Sequence, residues 1–331
     1  MKIEIVSLMP SKLKIIARYI VNLRNIPYDF LQIFLGLKLR PKFISIEITN
    51  ICQCNCIFCP YGLSRDKKTI MSEELLVKIL NEVKKIGIKN INLTPLIGDI
   101  LIDSGIIKKL NIISSFNFES IHVFTNLVNL NKLDVNSFLE SGLTSLSIST
   151  APLEKGLYEK IYRIKKYNVF LENLVSLLEN FNRNKNKTIK KIQLAFRSNI
   201  DIGDCIKTKD FKKYIKPLLT KDISIYYRRD FDSWMGTIRQ DDLLEGMILN
   251  PDFKKYFPCS FLSNIQITPN GDMRLCGCRF NVNSDSDPFF IGNIQDFNII
   301  DAYNSSTVKN LKKKFFKFNA PIECQKCSMY L

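Results

Sequence analysis

The stretch FISIEITNICQCNCIFCP, residues 43–60, runs from a β-branched segment straight into four cysteines. FISIEIT (43–49) reads as a strand, and the cysteines follow on the loop that leaves it. Cys52, three residues, Cys56, two residues and Cys59 form one spacing, with Cys54 inside it. Three thiolates on one short loop can hold three irons of a 4Fe–4S cube and leave the fourth iron without a protein ligand. Zinc is the competing reading. It would take Cys54 as fourth ligand, in a cramped tetrahedron.

Outward from this loop, strands and helices alternate. SEELLVKILNEVKKIG (72–87) is an amphipathic helix with Ser72 as N-cap and Gly87 at its end. INLTPL (91–96), IHVFTN (121–126), LTSLSIST (143–150), IKKIQLAFRSN (189–199) and DISIYYRR (222–229) read as further strands. Helices are expected near 103–115, 131–140, 156–181 and 207–219. Six parallel βα units imply an α/β fold, a partial (β/α)6 barrel of TIM type with its active site at the carboxyl ends of the strands. The rhythm stops near residue 237. The expected division is an N-terminal helical segment (1–42), the barrel (43–236) and a small cysteine-rich module (237–331).

In the N-terminal segment, Leu13, Ile16, Ile20 and Leu23 recur at helical spacing among Lys12, Lys14, Arg18 and Arg24. Pro27 ends or kinks the helix. Two readings stay open: peripheral membrane contact through residues 11–40, or packing on the main domain.

The chain has 331 residues, 46% hydrophobic and 24% charged, which implies a globular core rather than disorder. No apolar run approaches the ~20 residues that span a bilayer, and the N-terminus lacks signal-peptide architecture, so a cytoplasmic protein is expected. Ten cysteines in such a chain suit metal centres better than disulfides. The net charge of +16 fits an anionic partner, yet no Arg-rich stripe or aromatic-basic signature marks specific nucleic-acid binding.

A second set, Cys259, Cys276, Cys324 and Cys327, spans the C-terminal module. NIQITPNGDMRLCGC (264–278) reads as a hairpin turning at 269–272, and TVKNLKKKFFKFN (307–319) as a basic helix. Hairpin and helix bring the four cysteines together as a closed cluster site, with Cys278 the alternative to Cys276. A zinc ribbon is the competing reading.

CxxxCxxC after the first strand of a βα barrel resembles the radical S-adenosylmethionine (SAM) superfamily, and the second set resembles the twitch module, a shortened SPASM domain. The first resemblance implies two functions for the loop. Its cluster chelates the methionyl amine and carboxylate of SAM through the open iron, and cleaves SAM to a 5′-deoxyadenosyl radical. Carried over residue by residue, Phe58 holds the family's aromatic position against the adenine. Gly98 and Asp99 of PLIGDI match the Gly-Gly-Glu motif that takes the methionyl ammonium, with the first glycine replaced and the acid one methylene shorter. Thr125 and Asn126 resemble the third-strand motif. Ser147 and Ser149 end the fourth strand, near the ribose, and Arg197 ends the fifth, where a guanidinium suits the cofactor's carboxylate. Cys54 is expected to be a bystander, Cys205 an inert thiol and His122 structural.

The resemblance implies two 4Fe–4S clusters, SAM, and an external reductant of the flavodoxin or ferredoxin kind. An auxiliary cluster suits net oxidation, because removing a hydrogen atom leaves a radical that must lose another electron. YYRRDFDSWMG (226–236) is expected to face the active site, with Arg228, Asp230 and Asp232 as substrate-contacting residues and possible base, beside Trp234. Enzymes of this architecture oxidise alcohols of aminocyclitols. The leading expectation is therefore dehydrogenation of a carbohydrate-type substrate, free or carrier-linked, such as a phosphorylated sugar. The alternatives are a peptide-modifying maturase and a non-catalytic zinc-binding protein.

Overall fold

Alternation of buried and half-buried residues along β2 (Phe43–Ile46), β4 (Ser120–Thr125) and β7 (Ile223–Arg228) gives these strands two unlike faces. Ile44, Ile46, Ile121, Val123, Ile223 and Ile225 are buried in the apolar core. Phe43, Ser45, Phe124 and Arg228 instead border an internal cavity. The computed structural model describes residues 2–4, 11–251, 255–277 and 287–329.

The other strands of the parallel series are β3 (Asn90–Asn92), β5 (Ser145–Thr150) and β6 (Lys191–Arg197). All six pair in parallel in the order β7-β6-β5-β4-β3-β2, so their carboxyl ends lie on one side. At the far edge, β1 (Lys2–Ile3) pairs in parallel with β7. Glu4, which follows β1, accepts Gln193 Nε2 at 2.6 Å and Ser224 Oγ at 3.1 Å. A separate pair, β8 (Asp230–Phe231) with β9 (Ile248–Leu249), forms just after β7.

The C-terminal segment does not stand apart from the sheet. Its strand β10 (Asn264–Ile267) pairs in parallel with β2, residue for residue from Asn264↔Phe43 to Ile267↔Ile46. Antiparallel β11 (Asp272–Leu275) and β12 (Phe290–Asn293) extend it, giving ten strands. Gly271 turns the β10–β11 hairpin at φ +90, and a Cβ there would also press on Ile294 at 3.0 Å.

Two expected helices are interrupted. The span 156–181 is two helices, Lys155–Tyr162 and Tyr167–Arg183, broken at Arg163 in the left-handed region (φ 49). The span 207–219 contains only short turns, Phe211–Ile215 and Lys216–Leu218, because Pro217 has no N–H to continue a helix. Ser72 does cap Glu73–Lys85, accepting the Leu75 amide at 3.2 Å.

At the N-terminal end, helices Ser11–Leu23 and Ile26–Ile33 form a bent pair. The second is fixed to helix Ser306–Phe316 by a fully buried ion pair, Lys312 Nζ to Asp29 Oδ1 at 2.8 Å. Lys312 also donates to Gln32 Oε1 at 2.7 Å. Burial pushes the Asp29 carboxyl up and the Lys312 ammonium down, and each partner pulls the other back toward its charged form.

Candidate active site

A cavity of about 430 Å³ lies at the carboxyl ends of the strands. Cys52, Cys56 and Cys59 line it, on the loop after β2. This loop has almost no regular structure of its own, so its amides find partners elsewhere. Asn55 N donates to the Tyr162 carbonyl at 3.3 Å and Ile57 N to the Ile161 carbonyl at 3.0 Å. Those carbonyls end helix Lys155–Tyr162, so the break at Arg163 supplies acceptors to the cysteine loop. The same ending places the Tyr162 hydroxyl 2.9 Å from Ser149 Oγ at the cavity wall.

Donors converge on the thiols. Cys52 Sγ accepts from the Cys54 amide at 3.4 Å and Asn126 Nδ2 at 3.5 Å, and the Tyr61 amide reaches Cys59. Burial pushes the Cys59 thiol up to about 12. Three thiols at one cavity wall repel as anions and need a cationic centre to ionise together. Cys54 is buried in the core and does not line the cavity.

Beside this loop, Gly98 packs so tightly on the strand end that a Cβ would meet the Thr49 carbonyl oxygen at 2.2 Å. Asp99 N then donates to the Ile51 carbonyl at 2.8 Å, one residue before Cys52. The carboxylate accepts Leu101 N at 3.0 Å, Thr125 Oγ1 at 2.9 and 3.0 Å, and Asn126 N at 2.7 Å. Burial raises Asp99 to about 6, against these donors.

Phe58 is packed on three sides. It stacks on Phe231 with centroids 5.4 Å apart, meets Tyr162 edge-on at 5.9 Å, and its carbonyl accepts Trp234 Nε1 at 3.1 Å. Trp234, Met235 and Gly236 are all left-handed (φ 47, 61 and 81), a tight turn that presents the indole.

Arg197 and Arg228 are register partners at the ends of β6 and β7, and both line the cavity. Burial and the neighbouring Arg228 lower Arg197 from its usual range. Its guanidinium sits 5.8 Å from the Phe124 ring, and no described carboxylate pairs with it. Arg228 Nε donates to the Asp230 carbonyl, with the Asp230 carboxylate 4.0 Å away. Asp232 lines the cavity and accepts Ser328 Oγ at 2.8 Å. Asp230 does not join the lining, although Phe231 beside it on β8 does.

The C-terminal module closes the other side through Phe261, Asn264, Gln266, Gly277 and Met329. Gly277 and Met329 flank Cys276 and Cys327. Burial first, and then the charges of Cys276 and Cys327, drive the Cys259 and Cys324 thiols far up. Amides of Phe261 and Met329 reach Cys259 and Cys327, the latter at 3.3 Å. Cys276 holds a left-handed backbone (φ 66). Both cysteine sets thus have the donor chemistry that iron–sulfur ligation requires. Cys278 lies outside the described residues.

Sequence reasoning missed Tyr162, Phe231, Gln266 and Met329. Gln266 is buried, with Nε2 unpartnered among the described residues, yet it borders the cavity. His122 bonds Ser145 Oγ at 2.9 Å inside the barrel, and Cys205 is buried beside Ser198 Oγ at 3.2 Å. Neither borders the cavity.

A partial parallel barrel with a three-cysteine loop at its mouth and a second cysteine set beyond the cavity is an arrangement that suits an enzyme holding iron–sulfur clusters. The family model of the Radical SAM superfamily matches residues 46–189, and that of SPASM, an iron–sulfur cluster-binding domain, matches residues 259–328. The chain thus carries a Radical SAM domain in its barrel and a C-terminal SPASM/twitch module. A 4Fe–4S cluster and SAM follow for the barrel, and further iron–sulfur ligation for the module.

Among solved structures, BtrN in complex with AdoMet and 2-DOIA is similar with a TM-score of 0.56 at 12% identity, over 88% of this chain and 94% of that chain. Native anSMEcpe with bound AdoMet gives 0.50 at 14% identity, over 82% and 83%. Streptococcus suis SuiB bound to precursor peptide SuiA gives 0.49 at 14%, over 87% and 70%. No curated protein matches the chain in sequence.

Proposed function

We propose that the enzyme dehydrogenates an alcohol carbon of a small carbohydrate-type substrate. The observation that supports this is one cavity bordered by Cys52, Cys56 and Cys59 on one side and by the neighbours of Cys276 and Cys327 on the other. The barrel cluster and SAM, when bound, supply the 5′-deoxyadenosyl radical that removes hydrogen from carbon.

The chain's residues do the rest. Phe58 supports the adenine and Ser149 the ribose, while Asp99 and Arg197 hold the methionyl ammonium and carboxylate, with Asn126 bridging Asp99 to Cys52. Arg228 orients the substrate. Asp232 accepts the hydroxyl proton, and the remaining electron would pass to the iron–sulfur cluster that Cys259, Cys276, Cys324 and Cys327 would hold beyond Gly277 and Met329. Loss of one hydrogen atom, one proton and one electron turns the alcohol into a carbonyl.

Anaerobic reconstitution followed by iron, sulfide and zinc analysis tests the ligand sets. Iron for two 4Fe–4S clusters is expected, and stoichiometric zinc in place of iron overturns the reading. Cys56→Ala abolishes 5′-deoxyadenosine formation from SAM. Cys324→Ala spares that cleavage and stops carbonyl formation in a screen of sugar and cyclitol alcohols.

A further inference from the structure

Amphipathic helices normally turn their apolar side to the core. Helix Ser11–Leu23 does not: Leu13, Ile16, Ile20 and Leu23 are all about half exposed. The next helix packs on the module through Asp29, Gln32 and Ile33, yet leaves Phe30 and Phe34 outside. Beyond it, Leu35 and Leu37 flank Gly36 (φ 67) on an exposed loop.

These residues join others from the far end of the chain. Phe30 meets Phe34 at 5.0 Å, and Phe34 meets Phe316 edge-on at 5.7 Å. Two residues later Phe318 is 75% exposed, left-handed (φ 55), and 6.3 Å from Tyr256. Tyr256 in turn acts on Tyr19 of the first helix. Ile322, more than half exposed, starts the turn that carries Cys324. The patch is thus drawn from both ends of the chain, and the buried Asp29–Lys312 pair holds those ends together.

The charge around it is mainly basic, with Asp301, paired to Lys38 at 3.1 Å, and Glu323, beside Ile322, as acids at its margin. Residues 11–40 hold six basic side chains and a single acid, Asp29, which is the buried one. Residues 306–319 hold five lysines and no acid. Of these, Lys314 and Lys317 are exposed, as are Arg24, Lys38 and Arg40. No helix among the described residues is long and apolar enough to cross a bilayer.

We propose that this face docks on an anionic lipid bilayer, with Phe34, Leu35, Leu37 and Phe318 entering the acyl boundary and the lysines and arginines meeting the headgroups. The basic excess of Arg24, Arg40, Lys314 and Lys317 around exposed apolar side chains matches what an anionic headgroup layer over acyl chains offers. The inference does not depend on the proposed substrate. It places the edge of the auxiliary-cluster turn at the lipid surface.

Co-sedimentation of the reconstituted holoenzyme tests it, with phosphatidylcholine vesicles against vesicles that also contain phosphatidylglycerol. Partitioning at least about tenfold stronger to the anionic vesicles, weakened by salt, is expected. Phe34→Ser with Phe318→Ser should remove binding to both, and Lys314→Glu with Lys317→Glu should remove only the preference. Iron content confirms that each variant is folded. Equal or absent partitioning overturns the proposal. So does a dimer, seen in solution and dissolved by the Phe34→Ser and Phe318→Ser pair, without lipid binding.

Discussion

A β-carbon on Gly98 would lie 2.2 Å from the carbonyl oxygen of Thr49, so the second strand end can reach the cysteine loop only through a glycine. Backbone atoms on both sides leave no flexible side chain to yield. Gly98→Ala therefore moves Asp99 away from Ile51 and the cofactor side of the cavity. Iron content should hold while SAM affinity drops by up to about 10²-fold, since misplacement of ~1 Å carries that size of effect. Calorimetry on the reconstituted enzyme measures it.

Arg197 offers a half-buried guanidinium on the cavity wall with no described acid partner. Charge-assisted hydrogen bonds contribute about 1.5–3 kcal/mol. Arg197→Met should weaken SAM binding by roughly ten- to a hundredfold in the same assay, with the visible spectrum of the clusters retained. Unchanged affinity would assign the cofactor's carboxylate elsewhere.

Glu47 is buried at the end of β2, where it accepts the Leu96 and Ile97 amides at 2.8 and 3.4 Å. Burial raises its carboxyl from 4.5 to about 7, with Arg274 opposing. The native state then holds a proton that the unfolded state has released, so stability falls as pH rises from about 4.5 to 7. At about 1.4 kcal/mol per unit the loss is roughly 3–4 kcal/mol. Glu47→Gln should flatten this part of the profile relative to the parent, as read by thermal unfolding across pH.

Removing one member of a buried ion pair strands the other charge, at about 3–5 kcal/mol. Lys312→Met should lower stability by that order because Asp29 remains buried. Lys312→Met combined with Asp29→Leu should recover most of it. Denaturant unfolding of the three proteins gives the comparison, and a fully additive double mutant would show that the pair is not coupled.

Much of the barrel was readable because each parallel strand carries β-branched residues between turn signals, as in IHVFTN and IKKIQLAFRSN. The cysteine spacings were readable because they are local. The break at Arg163 was not: YRIKK holds neither glycine nor proline, and what sustains the break is a pair of amides at Asn55 and Ile57, about a hundred residues away. The partner of β10 was equally hidden, since no local pattern tells NIQI to pair with FISI. Asp230 and Asp232 look equivalent in sequence. Only the cavity lining separates them, with Asp232 in it and Asp230 outside it.

The β2–β10 seam bears on how molecules reach the cavity. Besides the ladder itself, Lys42 N donates to Ser263 O and Glu47 N to Ile267 O, each at 2.8 Å. A cap hinged on a linker could swing aside, but one zipped into the barrel's own sheet must travel with it. Substrate traffic is thereby steered to loops outside the sheet, those after β3 and after β8, where the Pro95–Ile97 and Trp234 walls meet the cavity. Under the proposed chemistry, an electron passing between the two cysteine sites would cross a gap spanned by that ladder rather than by a hinge.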